Sequence, residues 1–364
     1  MRPTSSAQLQ LLAVAVLLAV NCADTRAADA AATAEPPYRR GVNLAGPEFG
    51  DVPGKLHFTY TYNDEASFRY FAEKGFTALR VPIRWERIQP ALKGPLDSDN
   101  LRELKQNIAW AKKYGATVII DVHNYARYDV TVDGKHVGAI IDGDIGGKVY
   151  VTTADFCDLW TKLSAEFKDE PGVYAYGLMN EPNNMGKSDW KAISSAAVKA
   201  IRAAKDSKWI LVGGDFWSNA NNWESINGPK AWADDPENRC IYEAHCYFDH
   251  DNSGVYAKSY ADELAANPKL DDVGRDRVAG FIAWCARNKV KGFIGEFACP
   301  RTDARWNTVL DRFLSALDDA NIGGTYWAAG TFWGDGYPMS IHPADNMKTD
   351  RPQLAVMLKH LEKK

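Results

Sequence analysis

The sequence lacks several features that would assign it to other classes of protein. It has no run of like charges and a net charge of only -4, so nothing favours nucleic acid or an anionic membrane as a partner. No Cys-x-x-Cys or His-x-x-x-His spacing occurs, which argues against a structural zinc site. The segment Gly46 to Gly50 is not the G-x-G-x-x-G cradle of a dinucleotide-binding sheet. We therefore expect a globular protein that needs no cofactor and binds uncharged ligands.

No apolar stretch is long enough to cross a bilayer, but the N-terminus has the pattern of an export signal. Arg2 precedes the apolar stretch Leu9 to Val20, and Ala28-Asp29-Ala30 is a small-residue cleavage site. A lipoprotein attached at Cys22 is the alternative, although Asn21 is a poor residue at the preceding position. We therefore expect a secreted or periplasmic protein, which is a monomer and leaves the membrane after cleavage.

The expected domain boundaries follow from this reading. Residues 1–30 form the signal peptide, residues 31–38 a flexible leader rich in Ala, Thr, Glu and Pro, and residues 39–364 one folded domain.

Short apolar stretches alternate with helical patterns along that domain, which is typical of a parallel sheet with crossover helices. The predicted fold class is α/β, as a single (β/α)8 TIM barrel, and a doubly wound open sheet is the alternative. The fifth helix is obscure, because residues 214–238 are rich in Asn, Gly, Pro and Trp. The eight predicted strands are Gly41 to Ala45, Ala78 to Ile83, Thr117 to Val122, Val173 to Met179, Ile210 to Gly213, Ile241 to His245, Gly292 to Gly295 and Gly324 to Ala328.

Polar residues fall in or just after these strands, where the active site of such a barrel gathers. Taken singly, each is more simply explained as a buried and paired structural group. Their convergence on one mouth is harder to explain in that way. They are Asn43, Arg80, His123, Asn124, Asn180, Glu181, His245, Tyr247, Glu296 and Trp327.

Two glutamates in this set indicate glycoside hydrolysis, which requires one protonated and one ionised carboxyl group at the same pH. We expect Arg80 and a hydroxyl such as that of Tyr247 to keep Glu296 ionised as the nucleophile. Glu181 has no cation in its own segment, and repulsion from Glu296 would raise its pKa. The sequence therefore predicts that Glu181 is the catalytic acid and then the base.

The remaining polar residues have supporting roles in this interpretation. Asn180 would donate to the sugar 2-hydroxyl group, and His123 and His245 would bind hydroxyl groups or orient Glu181. Zinc-activated water is the rival use of histidines and carboxylates, but no His-x-His follows the first strand. The prediction is therefore that the site contains no metal, and no Gly-rich phosphate cup follows the last two strands either.

The ordered set of motifs resembles glycoside hydrolase family 5, a family of retaining barrel glycosidases. The resemblance covers almost the whole chain past residue 39. The motifs are Ala-Leu-Arg-Val-Pro at Arg80, Asp-Val-His-Asn-Tyr at His123, Asn-Glu-Pro at Asn180 and Glu181, His-Cys-Tyr at His245 and Tyr247, Gly-Glu-Phe at Glu296, and Tyr-Trp-Ala at Trp327. Because the motifs fall in order on matching strands, a chance match is not a reasonable explanation.

Longer motifs resemble the endo-β-1,4-glucanases of that family. They lie at Asp121 to Arg127, His245 to Gly254 and Trp327 to Gly334. The resemblance implies a retaining enzyme that cuts cellulose or a related soluble β-glucan internally. Thr331 and Phe332 depart from the Pro and Trp expected there, which leaves mannan, xyloglucan or β-1,3-glucan as alternative substrates. A non-catalytic glycan-binding barrel is the alternative from another class.

Aromatic residues are abundant, with 12 Trp and 16 Tyr, and the C–H face of a pyranose ring packs flat on an indole. Trp160, Trp209 and Trp284 lie on helices or strand starts and are assigned to the core. Sugar binding is predicted for the aromatic residues in or near strand-end loops, which are Trp85, Tyr125, Trp217, Trp223, Trp327 and Trp333.

Export permits disulfides, and cleavage of the signal leaves five of the six cysteines. Cys240 and Cys285 both fall near the predicted bottom of the barrel and are the first-choice disulfide. Cys246 and Cys299 are a second candidate pair, and Cys157 is expected to be a buried thiol.

Overall fold

In the computed structural model, which describes residues 38–361, eight parallel strands form a closed barrel. Each strand pairs with the next along the chain, and the first pairs with the last, for example Val42 with Tyr326. The predicted (β/α)8 barrel is confirmed. The barrel strands are β1 (Arg40–Leu44), β2 (Ala78–Ile83), β3 (Thr117–Val122), β4 (Val173–Gly177), β5 (Trp209–Gly213), β6 (Cys240–His245), β7 (Lys291–Glu296) and β8 (Gly323–Ala329).

Helices pack their apolar faces around the outside of this barrel. Acidic and hydroxyl side chains cap several of them: Asp97 accepts from Asn100 N, and Thr152 and Asp155 form a capping box. The helices are α1 (Glu65–Glu73), α2 (Trp85–Ile88), α3 (Ser98–Lys113), α4 (Thr153–Phe167), α5 (Trp190–Ala203), α6 (Trp223–Asn227), α7 (Tyr260–Ala266), α8 (Val273–Asn288), α9 (Trp306–Asp319), α10 (Ala344–Met347) and α11 (Pro352–Leu358). Within residues 38–361, none of these helices has the length and apolar character needed to cross a membrane.

Two segments have structure that was not predicted from the sequence. The Gly- and Asp-rich segment after β3 forms two antiparallel hairpins, Arg127–Val132 with Lys135–Ile140, and Asp144–Ile145 with Lys148–Val149. Their Asp-Gly and Gly-Gly turns are a hairpin signal that the sequence argument did not use. The obscure fifth helix is the short α6.

The lumen of the barrel is layered, because alternate residues of each strand point inward. An apolar cluster that includes Ala78, Ile119 and Ile241 fills its lower part. Two residues further along the same strands lie Arg80, Asp121 and Glu243, all buried. The next inward positions are those of His123, directly after β3, and His245, the last residue of β6. The apolar layer therefore supports a charged layer directly beneath the mouth.

The N-terminal end of the barrel is closed by a second buried polar cluster. Tyr38 donates from its hydroxyl to Asp318 Oδ1 at 2.6 Å, and Arg40 Nη2 lies 3.2 Å from the same oxygen. His360 Nδ1 lies 2.6 Å from Asp318 Oδ2. Tyr38 therefore belongs to the fold and not to a flexible leader as predicted. The predicted signal peptide and residues 31–37 lie outside the described residues.

Candidate active site

The mouth of the barrel is built from loops that are hydrogen-bonded to one another. Tyr125 N donates to Asn180 O at 3.1 Å, Trp217 N donates to Pro182 O at 3.0 Å, and His245 N donates to Ser218 O at 2.8 Å. These bonds join successive loops around the rim and fix the positions of the side chains on them.

Several non-glycine residues in these same loops have left-handed backbone. Tyr125 has φ 55°, Glu181 has φ 47°, and Phe216, Trp217 and Ser218 have φ 56°, 56° and 52°. Such conformations cost free energy and persist only where the surrounding contacts hold them. The strained backbone at the mouth therefore sets the directions of the side chains on these loops.

Glu296, the last residue of β7, is the most tightly held carboxylate at the mouth. Its Oε1 lies 3.2 Å from Arg80 Nη1, and its Oε2 accepts a hydrogen bond of 2.7 Å from the hydroxyl of Tyr247. The side chain is only 4% exposed. Both partners predicted for Glu296 are therefore in contact with it.

A register irregularity between β6 and β7 aims Glu296 at the lumen. Ala244 pairs with Ile294 and His245 pairs with Glu296, so β7 carries one additional residue, Gly295, at this point. Bulges of this kind change the direction of a side chain near a strand end. Consequently Gly295 and Glu296 both face the charged layer.

Arg80 connects this carboxylate to the rest of the site. Its Nη1 donates to Asn43 Oδ1 at 2.8 Å, and its Nη2 donates to Asn180 Oδ1 at 2.9 Å. It also forms ion pairs with Asp121 Oδ1 at 2.9 Å and with Glu243 Oε1 at 3.3 Å. This fully buried guanidinium group therefore holds both amides and three carboxylates in fixed positions.

Glu181 lies four residues beyond the end of β4 and is held by one side chain. Its Oε1 is 2.8 Å from Nδ1 of His245, and the same nitrogen is 3.6 Å from Glu296 Oε2. The side chain of Glu181 is 16% exposed, and it borders the open cavity. His245 therefore orients Glu181, one of the two roles predicted for it.

His123 contacts Asn180 and not Glu181. Its Nδ1 lies 2.9 Å from Asp121 Oδ2, and its Nε2 lies 3.1 Å from Asn180 Nδ2. Burial lowers the pKa of His123 to about 3, so the ring is neutral. A proton on Nδ1, donated to Asp121, leaves Nε2 free to accept from the amide of Asn180.

The electrostatic environment of the mouth shifts the pKa values of His245 and Glu296. Burial disfavours the charged form of His245, but Glu296, Glu181 and Glu243 raise its pKa to about 10. Burial raises the pKa of Glu296 against the opposing charge of His245, and an ionised Glu181 raises it further while Arg80 lowers it. Because the effect of Glu181 vanishes when it carries a proton, protonation of Glu181 favours ionisation of Glu296.

A cavity of about 450 Å³ opens beside Glu181 and is large enough for sugar rings. Phe216 and Trp217 line it, are each 38% exposed, and pack edge to face at 5.0 Å. Tyr125 and Tyr247 also line the cavity. The predicted aromatic residues Tyr125 and Trp217 are therefore placed where a ligand would enter.

A second aromatic group lies on the side of β8. Trp327 stacks on the ring of His123 at 5.2 Å, and Trp333 stacks on Tyr337 at 3.9 Å. Phe332, at one of the positions that depart from the family pattern, is 43% exposed and stacks on Phe49 at 4.6 Å. This group joins the loop after β8 to the loop after β1.

Two tryptophans predicted to bind sugar are instead in the core. Trp85 is fully buried and packs edge-on against Tyr128 at 5.1 Å. Trp223 is 1% exposed and contacts Phe281 and Trp284 at 4.8 Å and 5.6 Å. Both begin short helices that fold back onto the barrel, and a loop assignment could not anticipate this.

The prediction that Asn124 belongs to the site is also wrong, because its amide supports a loop and does not face the site. Its Oδ1 accepts from Trp85 N at 2.7 Å, and its Nδ2 donates to Glu86 Oε2 at 2.7 Å and to Arg127 O at 3.2 Å. The amide thus has no free group for a ligand.

The expected disulfide between Cys240 and Cys285 is not formed, and Cys157, Cys246 and Cys299 are free thiols as well. Cys240 interacts with Asp235, whereas the sulfur of Cys285 lies against Gly292 at the start of β7. Burial raises the pKa of Cys285 to about 12. A shared position at the bottom of a barrel does not bring two sulfur atoms together.

Three donor atoms of a type that can bind metals converge at the mouth. Among the described residues, the cluster with this property is Glu181, His245 and Glu296, whose ligand-type atoms lie within 4.8 Å of one another. The ring nitrogen of His245 lies between the two carboxylates, and its raised pKa puts a proton there. The geometry is that of a hydrogen-bonded triad.

Three buried carboxyl groups around the site were not predicted from the sequence. Asp121 and Glu243 each lie two residues before a predicted histidine on the same strand, and this alternation was a usable signal. Burial raises the pKa of Asp121 to about 7, against the opposing charge of Arg80. Glu48 accepts from Gly46 N at 2.7 Å, and burial raises its pKa to about 8.

Comparison with known proteins agrees with this architecture. The family model described as Cellulase (glycosyl hydrolase family 5) matches residues 40–332. The predicted resemblance to this family is confirmed.

Relatives and solved structures match over most of the chain. Endoglucanase gh5-1 of Neurospora crassa is 32% identical over 83% of this chain and 72% of its own length. The structure of Pseudomonas stutzeri endoglucanase Cel5A in complex with cellobiose is 35% identical, covers 89% of this chain and 92% of its own, and has a TM-score of 0.78. XacCel5A in complex with cellopentaose is 36% identical, covers 89% of this chain and 99% of its own, and has a TM-score of 0.77.

Proposed function

Because this chain belongs to glycoside hydrolase family 5, we propose that it is an endo-β-1,4-glucanase that hydrolyses internal bonds of cellulose or a soluble β-glucan with retention of configuration. The protein is a glycoside hydrolase by its family. The proposal of a retaining mechanism rests on the pair Glu181 and Glu296. One carboxylate oxygen of Glu181 lies within 4.8 Å of one of Glu296. This separation suits a retaining pair, whereas inverting enzymes leave room for a water molecule between carboxyl groups 6.5 Å or more apart.

In the first step, Glu296 attacks the anomeric carbon. Arg80 and the Tyr247 hydroxyl hold its carboxylate in one orientation. The bond between the anomeric carbon and the glycosidic oxygen breaks as Glu181 gives its proton to that oxygen. A glycosyl ester on Glu296 and a shortened chain with a free hydroxyl group result.

In the second step, the ionised Glu181 removes a proton from water, and the water oxygen attacks the anomeric carbon. The ester bond to Glu296 breaks and its carboxylate is restored. The proton on His245 Nδ1 stabilises the charge that Glu181 carries between the two steps, because Nδ1 lies 2.8 Å from Glu181 Oε1. Each group thus returns to its starting state.

Substrate recognition follows from the groups around the pair. One Nδ2 hydrogen of Asn180 is engaged by His123, and the other remains available for a sugar hydroxyl group. The cavity with Phe216 and Trp217 lies beside Glu181, on the side where a leaving group would be protonated. Binding of β-1,4-linked glucose is supported by the relatives that were solved with cellobiose and cellopentaose.

The proposal includes export of the enzyme, which we expect to be a monomer. Export is supported by the N-terminal pattern of Arg2, the apolar stretch Leu9 to Val20 and the cleavage site at Ala30. N-terminal sequencing of protein recovered outside the cytoplasm tests it, and an uncleaved N-terminus would contradict it.

Product release from a panel of polysaccharides tests the proposed substrate. Carboxymethyl cellulose should lose viscosity much faster than it gains reducing ends, since internal cuts shorten chains early. NMR of the first products should show the β anomer. Faster cleavage of mannan, xyloglucan or β-1,3-glucan would move the activity to that glycan, an α anomer would contradict retention, and binding without cleavage would indicate a non-catalytic barrel.

A further inference from the structure

A buried carboxylate beneath the catalytic pair has no place in the steps above. Glu243 lies in the middle of β6 and is 1% exposed. It precedes His245 by two residues, so both side chains point into the lumen, with Glu243 one layer deeper. An ionised carboxylate in that position is costly unless nearby cations compensate it.

The chain makes room for this carboxylate by omitting a side chain on the neighbouring strand. A Cβ atom at Gly295 would lie 1.9 Å from Glu243 Oε1 and 2.9 Å from His245 Nε2. Gly295 directly precedes Glu296 and is the additional residue of the bulge on β7. The glycine before the nucleophile therefore lets Glu243 pack against the imidazole ring.

Three buried polar atoms without a hydrogen-bond partner meet at this point. They are Arg80 Nε, Glu243 Oε1 and His245 Nε2. Glu243 Oε1 lies 3.3 Å from the arginine nitrogen and 3.7 Å from the imidazole nitrogen. These are ion-pair distances, so the carboxylate compensates two buried cations at once.

We propose that Glu243 is a positioning residue that keeps a proton on both ring nitrogens of His245, so that Nδ1–H always points at Glu181. The inference rests on the proposed function for the role of Glu181 alone. An imidazole ring with one proton could place it on Nε2, and Nδ1 would then accept a hydrogen bond where it now donates one. A negative charge at Nε2 favours the doubly protonated ring in which both nitrogens donate.

The other charged groups around His245 do not replace Glu243 in this role. Carboxylates face Nδ1 and a single carboxylate approaches Nε2. Together these carboxylates outweigh burial and hold the pKa of His245 at about 10. The titratable and charged groups that surround the ring are Glu181 after β4, Glu243 on β6, Glu296 on β7, Asp121 on β3, His123 after β3 and Arg80 on β2.

The variant Glu243→Gln tests this proposal, because it keeps the shape and removes the charge. Titration of the full chain by 15N NMR, with His245 assigned through His245→Gln, should show the midpoint of this imidazole falling by about one pH unit or more. The pH above which kcat declines should fall by a similar amount while KM changes little, since the acid is misaligned only once the ring loses a proton and no substrate contact is lost. Glu243→Asp keeps the charge and should recover much of the midpoint.

Asp121→Asn is the matched control. Asp121 is also a buried carboxylate paired with Arg80, but its second contact is His123 and not His245. The Asp121→Asn substitution should move the His245 midpoint by less than half as much as Glu243→Gln does. An unchanged midpoint in Glu243→Gln, or an equal shift in the control, would overturn the proposal. If Glu243→Gln does not fold, a Glu243→Asp midpoint that falls by a full pH unit or more would do the same, because the charge would then be present without the expected effect. The titration needs no substrate, so its outcome is independent of the substrate assignment.

Discussion

The two ends of the barrel hold buried clusters made from the same kinds of residue, yet the two clusters differ in what they can do. The floor cluster lies at the N-terminal ends of the strands and consists of Tyr38, Arg40, Asp318 and His360. The mouth cluster lies at the C-terminal ends and consists of Arg80, Glu181, His245, Tyr247 and Glu296. Each combines arginine, histidine, tyrosine and carboxylate at similar distances.

The floor cluster is centred on one carboxylate whose two oxygens are both engaged. Asp318 receives the hydroxyl of Tyr38 and pairs with Arg40 and His360. Arg40 also donates from Nε to His360 O at 3.3 Å. These contacts join the chain entering β1 to the end of α9 and to the last residues of the described chain. The arrangement stabilises the fold, and both oxygens of its carboxylate are engaged within the protein.

The mouth cluster borders a cavity, and with the buried Asp121 and Glu243 beneath it the carboxylates outnumber the two cations, Arg80 and His245. His245 Nδ1 is shared between Glu181 and Glu296, and a residue with left-handed backbone carries the first of these carboxylates. Composition and burial therefore do not distinguish an active site from a structural ion cluster. An active site is distinguished by its position at the C-terminal ends of the strands and by like charges that compete for one cation.

Loss of Glu296, the proposed nucleophile, should have the largest effect on activity. Glu296→Gln keeps the shape and removes the attacking oxyanion, so we expect kcat on carboxymethyl cellulose to fall on the order of 10⁴-fold or more. The free energy of unfolding should change little, which chemical denaturation can measure. Hydrolysis at the wild-type rate would remove Glu296 from the mechanism.

Loss of Glu181, the proposed acid, should have a smaller effect that depends on the leaving group. We expect Glu181→Gln to lower kcat on cellulose by about 10² to 10⁴-fold, because the glycosidic oxygen then departs unprotonated. A cellobioside with a nitrophenolate leaving group needs less protonation and should lose less. Equal losses on both substrates would indicate that Glu181 does not act as the acid.

The corresponding change at the floor should have the opposite pattern. Asp318→Asn leaves Arg40 and His360 without their buried anion, so we expect the free energy of unfolding to fall by about 3 kcal/mol. The kcat of the folded fraction should equal that of the wild type, as initial rates at a temperature below the transition can show. A large loss of kcat would mean that the two ends are coupled.

The mouth should also give stability a dependence on pH. The pKa of His245 rises from its usual 6.5 to about 10 in the folded state, so its protonation stabilises the fold. This contribution is fully present below pH 6.5 and is lost as the pH rises through 10. Unfolding free energies measured across that range should fall less steeply for His245→Gln than for the wild type, and parallel curves would contradict the assignment.

The smallest effect is expected at the exposed aromatic pair. Trp217→Ala should raise KM for cello-oligosaccharides about tenfold, or ~1.4 kcal/mol, with kcat nearly unchanged. Phe332→Ala is the matched exposed ring on the β8 side of the mouth and should affect a different part of the glycan chain. If both variants raised KM by the same factor for a cellobioside and also for cellopentaose, the result would argue against the view that Trp217 and Phe332 contact separate parts of the glycan chain.

Much of the fold was predictable from local pattern. The bounds of β2 and β3 were predicted to the residue, because apolar stretches and the turns that end them are encoded within a few positions. The polar groups at strand ends could be found in the same way, since the barrel places every such end on one rim. The hairpins after β3 were missed although their turns were visible in the sequence.

The sequence by itself determined a barrel of eight strands with two glutamates and an arginine at its mouth, because strand periodicity and strand ends are local properties. The tertiary structure alone decided that a bulge turns Glu296 inward, that Glu243 occupies the space left by Gly295, and that Asn124 supports a loop. It also decided that two tryptophans are core residues and that the cysteines stay apart. The physical reason is that these features depend on register and contact between segments far apart in the chain, where identical residue types become different groups through the neighbours they meet.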